Sequence, residues 1–170
     1  MRRPFRIAAF ALTIAAGSPA AAADLDVLPK FADYPVRVYR GTIARPRIAA
    51  DFQRDYKIQF EDATTSKIDA AGHYVVAKLP CGSACAMAEL LDARSGRIIN
   101  LFSISGWREV GDDFDAVESR ADSRLIVFHG ARNETGINGN HYYLIRPDGT
   151  LKHLRTLDTG GNFETAPKVE

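Results

Sequence analysis

The chain has 170 residues, 46% of them hydrophobic and 25% charged, with 22 basic side chains against 21 acidic ones. That length and balance place it among ordinary globular chains of about one domain and exclude a disordered, collagen-like or low-complexity polypeptide. A near-neutral, evenly mixed charge gives no electrostatic reason to grip phosphate backbones, so nucleic acid is not an expected partner.

Residues 1–23 read as a cleavable signal peptide. Arg2, Arg3 and Arg6 precede an apolar run from Ile7 to about Gly17, and Ser18-Pro19 leads to an Ala-x-Ala site ending at Ala23. The apolar run is shorter than the roughly 20 residues a membrane-spanning helix needs, and no cysteine stands at the cleavage region to accept a lipid. The expected product is a periplasmic or secreted protein with no membrane anchor after cleavage. Arg2-Arg3-Pro4-Phe5 also resembles a twin-arginine export signal, so the export route stays open between that and the general one. Taking the leader's three arginines from 22 basic residues leaves 19 against 21 acidic, a formal charge of −2.

Residues 24–170 are then expected to form a single β-rich domain, with an irregular arm over 24–35 broken by Pro29 and Pro35. Tyr34 to Thr42 alternates as a strand does, up to Arg45-Pro46. Between about Ile48 and Lys67, Phe52, Tyr56, Phe60 and Ala63 fall at helical spacing in a stretch without Gly or Pro, which predicts the one helix. After Gly72 the pattern changes to short apolar runs: His73 to Leu79, Ala86 to Leu91, and Arg97 to Phe102 beyond a turn at Asp92–Gly96. Trp107 to Asp115 reads as a loop, and Arg124 to Gly130 as the centre of a sheet. Asn133 to Asn140, polar and Gly-rich, reads as a second loop. His141 to Arg146 and Thr150 to Leu157 flank Pro147-Asp148-Gly149, a strong hairpin signal, and a tail follows from about 160. The expected fold is mainly β or α+β: antiparallel hairpins with one short N-terminal helix.

Cys81 and Cys85 are the two cysteines, and in an oxidising compartment such neighbours pair. A disulfide needs Cα atoms roughly 4.4–6.8 Å apart, whereas four extended residues span about 13 Å, so the chain must reverse between them. Gly82, Ser83 and Ala84 suit that reversal. The alternative is a thiol-redox or copper-handling pair, because thiolates suit soft metals and exported copper carriers of the Sco type join C-x-x-x-C to a distant histidine. His73, His129 or His141 would then supply the third ligand. Against it, the thioredoxin-like core of those carriers requires a helix after the second cysteine, and none is patterned after Cys85.

Ala71-Gly72-His73-Tyr74, Cys81-Gly82-Ser83-Ala84-Cys85, Leu91 to Arg97, Asp122-Ser123-Arg124-Leu125 and Tyr142-Tyr143 together resemble a group of small uncharacterised exported bacterial proteins. In that group a G-H-Y strand leads to a C-G-[ST]-x-C turn and a D-x-x-[ST]-G hairpin. The likeness spans about residues 70–157 and departs at Leu79-Pro80, where the group tends to have Trp-Gly. It implies architecture and export, and carries no activity with it.

The candidate binding residues are His73, Trp107, Asn138 and His141. His73 opens a strand, where an imidazole serves as base, ligand or hydrogen-bond partner. Trp107, the only tryptophan, stands in an expected loop, either exposed as an anchor for a protein or sugar ligand or half-buried as a lid on the core. His129 shares a sheet face with Leu125 and Val127, which reads as a core or rim histidine; a hydrolase built on His73 or His129 with an acidic neighbour rests on residue types alone. Glu109, Asp112, Asp113, Asp115 and Glu118 lack the spacing of a calcium loop and read as a solvated acidic segment. Asn133-Glu134-Thr135 fits the glycosylation triplet, which carries no weight behind a bacterial-type leader. No nucleophile-elbow, zinc-protease or phosphate-loop motif occurs. With no cofactor expected, these features favour a non-enzymatic binding or interaction module whose loops meet an unknown periplasmic protein or small ligand.

Overall fold

A computed structural model describes residues 27–107 and 114–170. The leader at 1–23 and the acidic residues Glu109, Asp112 and Asp113 lie outside the described residues. Among the described residues, a 3-10 turn at Phe31–Asp33 is followed by two short helices, α1 (Asp51–Asp55) and α2 (Lys57–Ala63), and then seven strands. These are β1 (Tyr74–Pro80), β2 (Cys85–Asp92), β3 (Ile98–Ser105), β4 (Val117–Ser119), β5 (Leu125–Arg132), β6 (Thr135–Ile145) and β7 (Leu151–Asp158). All pairings between named strands are antiparallel, in a single sheet ordered β1-β2-β3-β5-β6-β7 with β4 on β5. Among the described residues no helix is long and apolar enough to cross a membrane.

The sheet is two parts, β1-β2-β3 and β5-β6-β7 with β4 beside β5, joined by a narrow seam. β3 meets β5 through only two residue pairs, Ile104 with Arg132 and Ser105 with Ala131. Gly130 makes this approach possible: its φ is +138°, and a Cβ there would stand 2.6 Å from both the Ile104 side chain and the Ser105 carbonyl. The sheet curls about the seam, since the Tyr74 hydroxyl of β1 donates to the Pro147 carbonyl in the β6–β7 turn at 3.3 Å. One face therefore closes on a common core that includes Tyr74, Val76, Leu90, Ile104, Ile126, Phe128, Tyr143 and Ile145. On the opposite face Phe60 of α2 roofs Ala77 and Leu79, while Phe31 and Val169 pack on Leu125, Val127 and Tyr142.

Three expectations are corrected by these elements. The helix expected over 48–67 is broken at Tyr56, whose φ of −108° leaves the helical region, and it stops at Ala63 before the Thr-Thr-Ser run. Residues 34–42 are extended but form no strand. Their backbone contacts include an isolated bridge of Pro35 to Ser123, single bonds from Val36 to Asp122 and Tyr39 to Gly72, and one from Arg124 to the Tyr34 carbonyl. Most of Asn133–Asn140 is strand rather than loop. Only Asn133 and Glu134, at φ +50° and +61°, form the turn, which is the conformation a two-residue hairpin demands. The disulfide stands as expected: Cys81 and Cys85 are bonded, with Cα atoms 5.3 Å apart, and clamp the β1–β2 turn.

β7 is an edge of the sheet. Tyr142 pairs with Arg155 and Tyr143 with His153, which leaves Leu154 without a cross-strand partner and bends the strand at that point.

Candidate ligand-binding cleft

Four sequence-distant elements meet over the outer face of β5 and β6. In antiparallel register His129 lies directly opposite Asn140, so both side chains rise from one face. β4 brings Glu118 beside them through its pairing with β5. The segment 163–169 crosses the same face, held by Phe163 on the His129 ring, by the Asn140 amide donating to the Pro167 carbonyl at 3.5 Å, and by Val169 on Leu125 and Val127. Between this segment and the strands is a cleft of about 380 Å³, lined by Phe114, Asp115, Glu118, His129, Asn140, Phe163, Glu164 and Ala166–Val169.

The polar floor is ordered by one hydrogen bond. Nδ1 of His129 lies 2.8 Å from Oδ1 of Asn140. The Asn140 NH₂ faces a carbonyl, which assigns Oδ1 as the acceptor and Nδ1–H of His129 as the donor. Nε2 is buried and makes no hydrogen bond. The nearest charged group is the Glu118 carboxylate, with Oε1 at 3.3 Å and off the line a hydrogen bond needs, on a side chain 40% exposed. The His129 side chain itself is only 7% exposed. Rings enclose the imidazole: Phe163 edge-on with centroids 5.5 Å apart, and Phe114 at 6.2 Å.

The charges of the lining lean acidic. Asp115, Glu118 and Glu164 stand against Lys168. Asp115 is already paired with Lys78, and Glu118 pairs with no lysine or arginine among the described residues. No family model, curated protein or solved structure matches the chain.

The residues expected to bind are distributed differently. Trp107 is half-buried and stacks on Phe114 at 5.3 Å, so it backs one wall of the cleft rather than standing free in a loop. Asn138 in β6 acts as a pin. Its side-chain amide donates to the Gly106 carbonyl at 2.6 Å, and its backbone carbonyl accepts from the Thr159 and Gly161 amides. His141 is fully buried on the opposite face. Its Nε2 meets the Gly130 and Ile137 carbonyls at 2.8 and 3.1 Å and so must carry the proton, leaving Nδ1 to accept from the Thr156 hydroxyl at 3.0 Å. Burial holds the His141 imidazole below its ordinary pKa, which keeps this buried ring neutral.

His73 stands in the turn just before β1 and donates through Nδ1 to the Ala71 carbonyl at 3.1 Å. Burial, then the Arg94 charge, lower its pKa. The disulfide lies past the other end of β1, about 20 Å of strand away, so His73, Cys81 and Cys85 do not converge on one ligand set. His141 and His129 rise from opposite faces of the sheet, as alternation over Leu125, Val127 and His129 foretold for the latter. Glu118, Asn140 and Phe163 have no motif to announce them. What the sequence did hold was the polar Asn140 two residues before Tyr142, in phase with the apolar face.

Proposed function

We propose that this is an exported, non-enzymatic binding module that holds one small ligand in the cleft between the β4–β6 face and residues 163–169. The observation that carries the reading is His129. A histidine more than nine-tenths buried, hydrogen-bonded through Nδ1 to Asn140, has a second ring nitrogen with no hydrogen bond beside a cleft walled by phenylalanines. Leaving such an atom unpaired costs about 1–3 kcal/mol, and a ligand that pairs with it recovers that loss. A volume of about 380 Å³ is at the small end for organic ligands. The described lining offers carboxylates, amides and rings but no serine, threonine or cysteine, which favours holding over nucleophilic chemistry. The leader pattern and the Cys81–Cys85 disulfide support delivery to an oxidising compartment.

The test is a fragment screen of mixed charge followed by NMR on ¹³C-labelled aromatic and histidine side chains. Hits are expected to move the Phe114, His129 and Phe163 signals together and to be lost in His129→Leu. A screen that yields turnover of a compound without such shifts, or shifts confined to other surfaces, overturns the reading.

A further inference from the structure

We propose that residues 163–169 are a hinged strap that lifts from the β5–β6 face to admit the ligand and reseats over it. This rests on the binding reading above and adds the route by which the site fills. Asn140 is fully buried and the His129 side chain only 7% exposed, so a ligand that reaches the cleft floor must pass the segment lying over both. That segment is lightly fixed for its length. From Phe163 to Val169 the backbone forms no ladder with the sheet. Among the described residues its one bond to the strands is the Pro167 carbonyl accepting from the Asn140 amide at 3.5 Å, near the limit for a hydrogen bond. The Thr165 amide turns back on the Asn162 side chain at 3.2 Å. The remaining seats are apolar: Phe163 against Phe114 and His129, and Val169 on Leu125, Val127 and Tyr142. A segment docked by a ladder opens only with its sheet, whereas one held by separate side-chain seats can open alone.

Both ends suit such a motion. At the near end the Asn138 backbone carbonyl accepts from the Thr159 and Gly161 amides, each at 3.2 Å, and so fixes the pivot. Gly160 and Gly161, at φ +60° and +79°, hold left-handed angles that glycine adopts and leaves without strain, as a hinge requires. At the far end the Glu170 carbonyl accepts from the Phe31 amide at 2.7 Å, and its carboxylate pairs with Lys30 in an exposed contact that water screens. The flanks of the segment are unpacked. Besides the cleft of about 380 Å³, a second cavity of about 330 Å³ lies over Tyr142, bounded by residues 27–30. Pro167, Lys168 and Val169 line both cavities, so they divide two spaces instead of filling a wall. Lifting them joins the spaces over a single floor, in which Val127 pairs with Tyr142 and His129 with Asn140.

The experiment is thiol labelling with iodoacetamide, read by mass spectrometry, of Val127→Cys and Ile126→Cys in the otherwise intact chain, whose own cysteines are bonded to each other. The two positions are adjacent on β5 and both fully buried, Val127 on the face that the segment crosses and Ile126 in the core on the other. Ile126→Cys is expected to label only through unfolding of the domain, and Val127→Cys at least about tenfold faster, through opening of the strap. Adding Phe163→Ala, which removes one seat, is expected to raise the Val127→Cys rate about tenfold further relative to Ile126→Cys. Hits from the fragment screen are expected to slow Val127→Cys labelling by holding the strap down. Should either cysteine variant fail to fold, carbethoxylation of His129 relative to His141 by diethyl pyrocarbonate, with and without Phe163→Ala, gives the same comparison. Equal labelling at positions 126 and 127 would overturn the strap and leave the cleft as a binding site. Fast labelling at 127 that Phe163→Ala does not quicken would assign the opening to the N-terminal arm, and bound hits that leave the rate unchanged would exclude reseating; either overturns the inference. Selective, Phe163-dependent labelling with no screen hit would establish the hinge and overturn the binding reading instead.

Discussion

Glu89 gives the sharpest handle on the energetics. It lies on β2 opposite Ala77, on the side roofed by Phe60 of α2, and is only 5% exposed. Its Oε2 is buried without a hydrogen-bond partner. Burial lifts its pKa from an ordinary 4.5 to about 7. The folded chain therefore holds this proton more tightly than the unfolded chain does, and stability contributed by the neutral acid is complete below pH 4.5 and lost as pH rises through about 7. At ~1.36 kcal/mol per pH unit, that gap amounts to about 3 kcal/mol. Glu89→Gln keeps the shape and removes the ionisation. Urea unfolding followed by Trp107 fluorescence should show the variant more stable than the parent at pH 8 by up to about 3 kcal/mol, and close to it near pH 4.5. Asp69, lifted to about 6 chiefly by burial, adds a slope of the same sign in both proteins and cancels in the difference. A variant with the parent's pH slope, or one less stable at pH 8, would refute the reasoning.

Four further outcomes follow from particular contacts. Gly130→Ala forces a side chain into the seam at φ +138° and is expected to cost roughly 2 kcal/mol or more, read as a lowered melting temperature by calorimetry. Reducing the Cys81–Cys85 bond should cost about 2 kcal/mol in urea unfolding, the chain-entropy value for so short a loop, while ligand affinity at the cleft is unchanged. His141→Leu leaves the Gly130 and Ile137 carbonyls and the Thr156 hydroxyl short of a partner, and is expected to destabilise by roughly 2–4 kcal/mol in the same assay. Glu134→Gly relieves a left-handed glutamate at φ +61° and should raise stability by about 1 kcal/mol.

The hairpins and the tight cysteine turn were legible because their chemistry is local. Asp92–Gly96, Pro147–Gly149 and the Cys81–Cys85 reversal each announce themselves within five residues, and each is a turn in the structure. The first half of β6 was hidden for the opposite reason. Thr135 to Asn140 shows no alternation, yet its backbone pairs with β5 and then also with β7, and its polar residues serve neighbours far along the chain. At Gly139 a Cβ would meet the Leu157 carbonyl at 2.0 Å, and Asn140 orients His129. Residues 34–42 alternate as a strand should, but touch the sheet at isolated points instead of forming a ladder. The cleft was least legible, because strand register alone brings Glu118, His129 and Asn140 together, and Phe163 arrives over them from the tail. Phase placed His129 on the correct face, whereas nothing local distinguished a rim histidine from one lining a cleft.

The bend at Leu154 has a colloidal consequence. β7 exposes unpaired peptide groups along one flank, and a second strand laid there in register would extend the sheet indefinitely. Lys152 and Arg155 stand either side of the bend, so two copies approaching edge to edge would meet cation against cation on a surface that is not straight. The same irregularity that interrupts the ladder with β6 thus guards the molecule against polymerising through its own open side.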